Sequence, residues 1–274
     1  MNGPPRGFFA RLAARCDQAE SSLCVGLDPD PRRMPTFIGS GPEGIYRFCA
    51  EIVEATADYA AAFKPNLAFF EAIGTEGWHV LAQVLERVNR QIPIIIDAKR
   101  GDIGSTAVHY ARALFDRLKA DAVTVTPWLG YDSIEPFLRY EDRGVYVLCL
   151  TSNKGAEDFQ LPHKTYLRVV EKVLRWNRGN LGLVVGATKP EQMVEIRAAA
   201  PELPILIPGL GAQGGDLDEL MTSARQTPRH CLLFNVSRSI LFASQGSDFG
   251  RAARKAAQFY WDRINRARTR TLHD

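Results

Sequence analysis

The chain has 274 residues, 46% of them hydrophobic and 24% charged, with a formal net charge of +3. That length and apolar content suit a large core, and the charge is too mild to argue for nucleic acid or an anionic membrane as a partner. The longest apolar runs are strand-length, well short of the ~20 residues of a membrane span, so no transmembrane segment is expected.

Residues 7–20 predict a short amphipathic helix, because Arg11, Arg15, Asp17 and Glu20 interrupt any run that could serve as a signal peptide. Short apolar runs then recur at 23–28, 60–66, 93–99, 122–127, 145–151, 183–188, 204–209 and 232–236, which predicts eight buried strands. Patterns of helical period lie between them, clearest in Ala107, Val108, Ala111, Leu114, Phe115 and Leu118. A last helix is expected over 248–266, with Phe249, Ala252, Ala253, Ala256, Phe259 and Tyr260 on one face and a basic, solvated face opposite. The polar tail 267–274 is expected to fray.

Buried strands alternating with helices imply a parallel sheet with its crossovers packed outside. No Ser/Gly/Pro-rich linker divides the chain, so the expected fold is one α/β domain spanning 1–274, a (β/α)8 TIM barrel, with an open doubly wound sheet as the alternative. The five cysteines (Cys16, Cys24, Cys49, Cys149 and Cys231) are odd in number and form no CxxC pair. Cys24, Cys149 and Cys231 lie in apolar runs and read as buried free thiols, a pattern that suits a reducing cytoplasm.

The segment Asp97-Ala98-Lys99-Arg100-Gly101-Asp102-Ile103 carries the strongest chemical signal. Strand alternation puts Asp97 and Lys99 on one face at the end of the third strand, and Asp102 opens the following helix. Carboxylates flanking a lysine favour its ammonium form. A catalytic cluster and an ion-pair network at a strand end are the two readings of these residues alone. Other strands also end in polar groups: Gly26-Leu27-Asp28-Pro29, Phe63-Lys64-Pro65-Asn66, Thr151-Ser152-Asn153 and Gly186-Ala187-Thr188. In such barrels the active site lies at the strand C-termini.

Gly209-Leu210-Gly211-Ala212-Gln213-Gly214 formally matches GxGxxG, but it comes late and no acidic residue ends the next strand. Beside Ser237-Arg238-Ser239, after the eighth strand, it reads as a cradle for one phosphate, or else as a tight turn near a surface arginine. The five histidines never stand at metal-ligand spacing.

Taken in order, these segments resemble the orotidine 5′-monophosphate decarboxylase family: Asp97–Ile103 is similar to its DxKxxDI signature, and residues 26–29, 63–66, 151–153, 208–214 and 237–239 resemble its other site segments, the likeness running from about residue 20 to 265. The length is similar to the longer bacterial branch. The resemblance implies a cofactor-free and metal-free (β/α)8 homodimer that converts orotidine 5′-monophosphate to UMP and CO2. It implies that Lys99 protonates C6 of the ring, that Asp97 faces the substrate carboxylate, and that Lys64 holds Asp97 and the ribose. Asp102 and Thr106 would reach into the partner's site. Asp28 would bind ribose hydroxyls, Ser152 the pyrimidine edge, Gln213 with Arg238 the 5′-phosphate, Ser237 would add a backbone N–H, and Pro208 would line the substrate site. Ser237 stands where shorter members often carry glycine, and Gly209 onward would be a lid. A metal-dependent decarboxylase acting on a keto-sugar phosphate, a Schiff-base aldolase using Lys99, and a nucleotide-binding barrel without catalysis are the competing readings.

Overall fold

The computed structural model describes residues 7–210, 217, 220 and 227–273. Eight strands form one sheet: β1 Leu23–Leu27, β2 Ala62–Pro65, β3 Ile95–Arg100, β4 Ala122–Val125, β5 Gly144–Leu150, β6 Leu181–Val185, β7 Ile205–Pro208 and β8 Leu232–Val236. Their order is β2-β1-β8-β7-β6-β5-β4-β3, with every pairing parallel. Parallel bridges Phe63–Ile94 and Asn66–Asp97 bring β2 against β3 and close the ring. The expected (β/α)8 barrel is therefore the observed fold, and the open sheet is not.

Strand alternation sorts side chains into two cores. Outward-facing Leu23, Val25, Phe63, Ile96, Val123, Val145, Leu183, Ile205, Phe234 and Val236 pack under the surrounding helices. Inward-facing Cys24, Ala62, Ile95, Ala122, Tyr146, Val184, Leu206 and Leu233 fill the barrel. Buried on both faces, these strands show no polar–apolar alternation, as expected of a parallel sheet covered on each side.

The helix Phe8–Gln18 presents Phe8, Leu12 and Cys16, one stripe at i, i+4 and i+8, to the inner cluster. It thereby stoppers the barrel at the strands' N-terminal end, with the Phe8 ring edge-on to Tyr146 at 6.0 Å between centroids. A Cβ on Gly144 would lie 2.3 Å from Phe8 Cδ1, so glycine is what admits the ring.

After β3, a helix over Gly104–Arg112 continues as a π turn over Ala113–Arg117 and buries Ala107, Ala111, Leu114 and Phe115. The last helix, Phe249–His273, runs on past Arg266 into the segment expected to fray. Ala267 is buried and Arg268 donates to the Thr227 carbonyl, which ties that turn down. Its inner face is Phe249, Ala253, Ala257, Ile264 and Ala267, whereas Phe259, expected on that face, is 55% exposed. All five cysteines are free and buried. No helix among the described residues is long and apolar enough to cross a membrane.

Gly144→Ala should destabilise the barrel by about 1–3 kcal/mol through overpacking against Phe8. Denaturant unfolding checks this, and adding Phe8→Leu should recover part of the loss.

Candidate active site

One step above the inner core, the same alternation brings Lys64, Asp97, Thr124, Leu148, Val184, Leu206 and Asn235 to the floor of a cavity of about 320 Å³ at the strands' C-terminal end. Asp28, Asn66, Lys99, Thr151, Ser152, Asn153, Pro208, Gly209, Ser237 and Arg238 form its walls and rim. One half of the floor is charged and the other aliphatic. That division suits a ligand with a planar apolar body and polar ends.

Asp97 is the centre of the charged half. Its Oδ2 accepts from Lys64 Nζ at 2.9 Å, and its Oδ1 accepts from Lys99 Nζ at 2.6 Å and from the Thr124 hydroxyl at 2.9 Å. The Lys64 side chain is 4% exposed and that of Lys99 50%, so one ammonium is sealed in and the other opens to the cavity mouth. Burial alone would raise the Asp97 pKa, but Lys64 and Lys99 hold it well below the usual carboxylate range. Burial alone would lower that of Lys64, yet Asp97 and then Asp28 push it above an ordinary lysine.

This differs from the arrangement read from spacing, in which Lys99 lies between Asp97 and Asp102. The carboxylate is the shared group, with an ammonium on each side. Asp102 does not line the cavity; its Oδ1 accepts the neighbouring Ile103 N–H at 2.8 Å. The cause is the chain's turn after β3: a Cβ on Gly101 would meet Thr126 Cγ2 at 2.3 Å, and the backbone then leaves the barrel mouth for the helix Gly104–Arg112. Thr106 is exposed on that helix's first turn. Ile103, Trp128 and Leu129 are exposed in loops and Phe159 at the end of a short helix, with Trp128 and Phe159 in ring contact at 5.6 Å.

Across the floor, Asp28 Oδ1, Asn235 Oδ1 and Ser237 Oγ are buried with no hydrogen-bond partner among the described residues. Each such atom costs about 1–3 kcal/mol unless a ligand or water meets it. Gly26 makes room for them, since a Cβ there would stand 2.7 Å from Ser237 Cβ and 3.1 Å from Asn235 Oδ1. Ser237 itself has φ −120°, outside the left-handed region that favours glycine. Arg238 is exposed at the rim beside it, and Gly209 opens the facing loop with φ +102°. Gln213 lies outside the described residues, as does most of the segment read as a lid.

Ser152 sits on a tightly held turn. Gly186 lets it approach β6, where a Cβ would fall 2.6 Å from the Ser152 nitrogen, and the Thr188 hydroxyl donates to its carbonyl at 3.1 Å. Gln160 accepts the Thr151 N–H at 2.7 Å and donates to its hydroxyl at 3.0 Å. Thr124, Asn235 and Gln160 are site residues that the motifs do not name. The first two had a signal: each is a polar residue in an apolar strand, in phase with the inward positions. Gln160 had none, because its contact depends on how a loop folds back. Among the described residues no group of three or more His, Cys, Asp or Glu gathers in a way that could hold a metal ion.

Removing the shared carboxylate leaves Lys64 buried without a counter-charge. Asp97→Asn should therefore lose about 3 kcal/mol at neutral pH. A depressed carboxylate stabilises above its unfolded-state pKa of about 4 and loses that contribution below it. The gap between wild type and variant should thus hold through neutrality and shrink as pH falls below about 4, which denaturant unfolding across pH would read.

Comparison with known proteins agrees with this geometry. Residues 21–255 match the model of the orotidine 5′-phosphate decarboxylase / HUMPS family. An orotidine 5′-phosphate decarboxylase of Roseiflexus sp. (strain RS-1) is 49% identical over 267 residues, covering 95% of this chain and 98% of that one. Its counterpart in Dehalococcoides mccartyi (strain CBDB1) is 45% identical over 272 residues, 96% of this chain and 99% of that one. The structure of Leishmania donovani OMP decarboxylase is similar with a TM-score of 0.84 at 40% identity, covering 96% of this chain and 99% of that one.

Proposed function

This chain belongs to the orotidine 5′-phosphate decarboxylase / HUMPS family, and from that premise we propose how its cavity converts orotidine 5′-monophosphate to UMP and CO2, a step of pyrimidine biosynthesis. The observation that carries the reading is the buried carboxylate shared by two ammonium groups, one of them facing the cavity mouth.

Loss of CO2 from C6 leaves an electron pair in an sp² orbital in the ring plane, where the π system delocalises it poorly. Stabilisation must then come from a fixed positive charge close to that carbon. Lys99 supplies it and passes its proton to C6, so charge stabilisation and protonation fall to one group. Asp97 lies beside the substrate carboxylate, and Lys64 holds Asp97 and the ribose. Asp28 binds ribose hydroxyls, a role its partnerless Oδ1 supports. Ser152 meets the pyrimidine edge. Arg238 and the Ser237 backbone N–H receive the phosphate, joined by Gln213 on the family resemblance alone, and Pro208 lines the substrate site. Bound far from the reacting carbon, the phosphate contributes binding energy that orients the ring.

The competing chemistries are less well supported. A metal held by Asp97 would have to displace the Lys64 ammonium from Oδ2 and tolerate its charge. A Schiff base requires a neutral amine, whereas Lys99 is engaged with Asp97 as an ion pair. The scheme uses no metal or cofactor.

The active form is a homodimer in which Asp102 and Thr106 enter the partner's site. Two observations support this: Asp102 does not line its own cavity, and Ile103, Trp128, Leu129 and Phe159 are exposed. Five buried free thiols support a cytoplasmic location.

Purified, EDTA-treated protein should bleach the orotidine 5′-monophosphate chromophore with stoichiometric formation of UMP. Lys99→Ala should lower turnover by more than the ~10²–10³ typical of one lost hydrogen-bond donor, since a full charge disappears. A variant keeping a tenth of wild-type turnover would exclude Lys99 as the acid. Mixing inactive Lys99→Ala with inactive Asp102→Ala should regenerate one intact site per heterodimer. No recovery after verified subunit exchange would argue against the shared site.

A further inference from the structure

Thr124 is the third residue of β4, 1% exposed, and turned inward onto the cavity floor. Its hydroxyl does two things at once for the neighbouring strand. It donates to Asp97 Oδ1 at 2.9 Å and accepts the Lys99 backbone N–H at 3.0 Å.

The second bond matters because β3 is irregular at this point. Ile95 and Ile96 pair with Ala122 and Val123, and the next pair is Arg100 with Val125. Asp97, Ala98 and Lys99 therefore lie opposite Thr124 alone. Within this bulge Lys99 has φ +46°, the left-handed region, which a residue with a side chain adopts at a cost of about 1–2 kcal/mol. The Lys99 amide has left the ladder, and the threonine side chain replaces the lost acceptor. Bulges that re-aim a side chain commonly stand beside active sites, and strained backbone persists only where its surroundings over-determine it.

We infer that Thr124 is a positioning residue for the protonation step: one oxygen ties the backbone of Lys99 and the carboxylate of Asp97 into a single frame, and that frame aims the ammonium. This rests on the reading of Lys99 as the proton donor. Only serine or threonine offers donor and acceptor on one atom at this reach. Threonine's branched Cβ also restricts its χ1, which keeps the oxygen in place. Lys64 on β2 and Lys99 on β3 each meet Asp97 directly, and Asp28, just past the end of β1, acts on Lys64, so the charges do not depend on the hydroxyl. What is lost without it is their geometry.

The test compares Thr124→Val, nearly isosteric but without the hydroxyl, with Thr124→Ser, which keeps it. Thr124→Val should lower kcat by about 10–100-fold while the Kd for UMP stays within about threefold. Thr124→Ser should restore kcat to within about threefold of wild type. A Thr124→Val enzyme within threefold of wild-type kcat overturns the inference. So does a serine variant as impaired as the valine one, or a valine variant that loses UMP affinity in proportion to kcat, since both describe a purely structural residue. Should Thr124→Val fail to fold, Thr124→Ala carries the same comparison, and failure of both overturns the inference in favour of a structural role. Lys99→Ala measured alongside separates the two readings: activity retained there removes the premise, whereas activity lost there but kept in Thr124→Val removes only the positioning role.

Discussion

Everything at the barrel mouth depends on one buried carboxylate. Asp97 is taken out of water, an expense of several kcal/mol for an isolated ion, and it is tolerable because Lys64, Lys99 and Thr124 all donate to it. Two ammonium groups share one carboxylate, and the half-exposed Lys99 side chain presents one of them to the open cavity. Lys64 cannot play that part, since it is sealed beneath and faces Asp97 and Asp28.

The barrel delivers these groups in phase. Inward positions on adjacent strands stack in layers. A bottom layer of Cys24, Ala62, Ile95, Ala122 and Tyr146 is closed from below by Phe8 and Leu12. The layer above carries the chemistry, and small residues decide what fits. Gly144 admits the stopper helix, Gly26 leaves space for Asn235 and Ser237, and Gly186 lets Ser152 come close. Charged groups gather on β2 and β3, while Pro208, Gly209, Ser237 and Arg238 line the cavity at the ends of β7 and β8, with β1 between the two groups in the sheet order.

Much of the fold was legible in the sequence because a parallel barrel strand is apolar on both faces and its run length is local information. The ends of those runs also identified Asp28, Lys64, Asp97, Lys99, Ser152, Pro208, Ser237 and Arg238, all of which line the cavity. Phe259 was misassigned because helical period alone does not say where along a long helix the packing partner ends. Asp102 was placed beside Lys99 because spacing records distance along the chain and not the turn that carries a carboxylate away from the barrel mouth.

The sequence by itself determined how many strands there are, which faces are buried and which strand ends carry charge, since these follow from residue type and period. Only the tertiary structure decided which charges meet. Lys64 and Asp97 are 33 residues apart, Thr124 and Asp97 are 27 apart, and both contacts exist because closure of the sheet brings β2, β3 and β4 side by side. The bulge that turns Lys99 into the left-handed region is likewise a property of the β3–β4 pair. No local propensity favours that conformation for lysine, and it persists because a neighbouring strand supplies the hydroxyl that holds it.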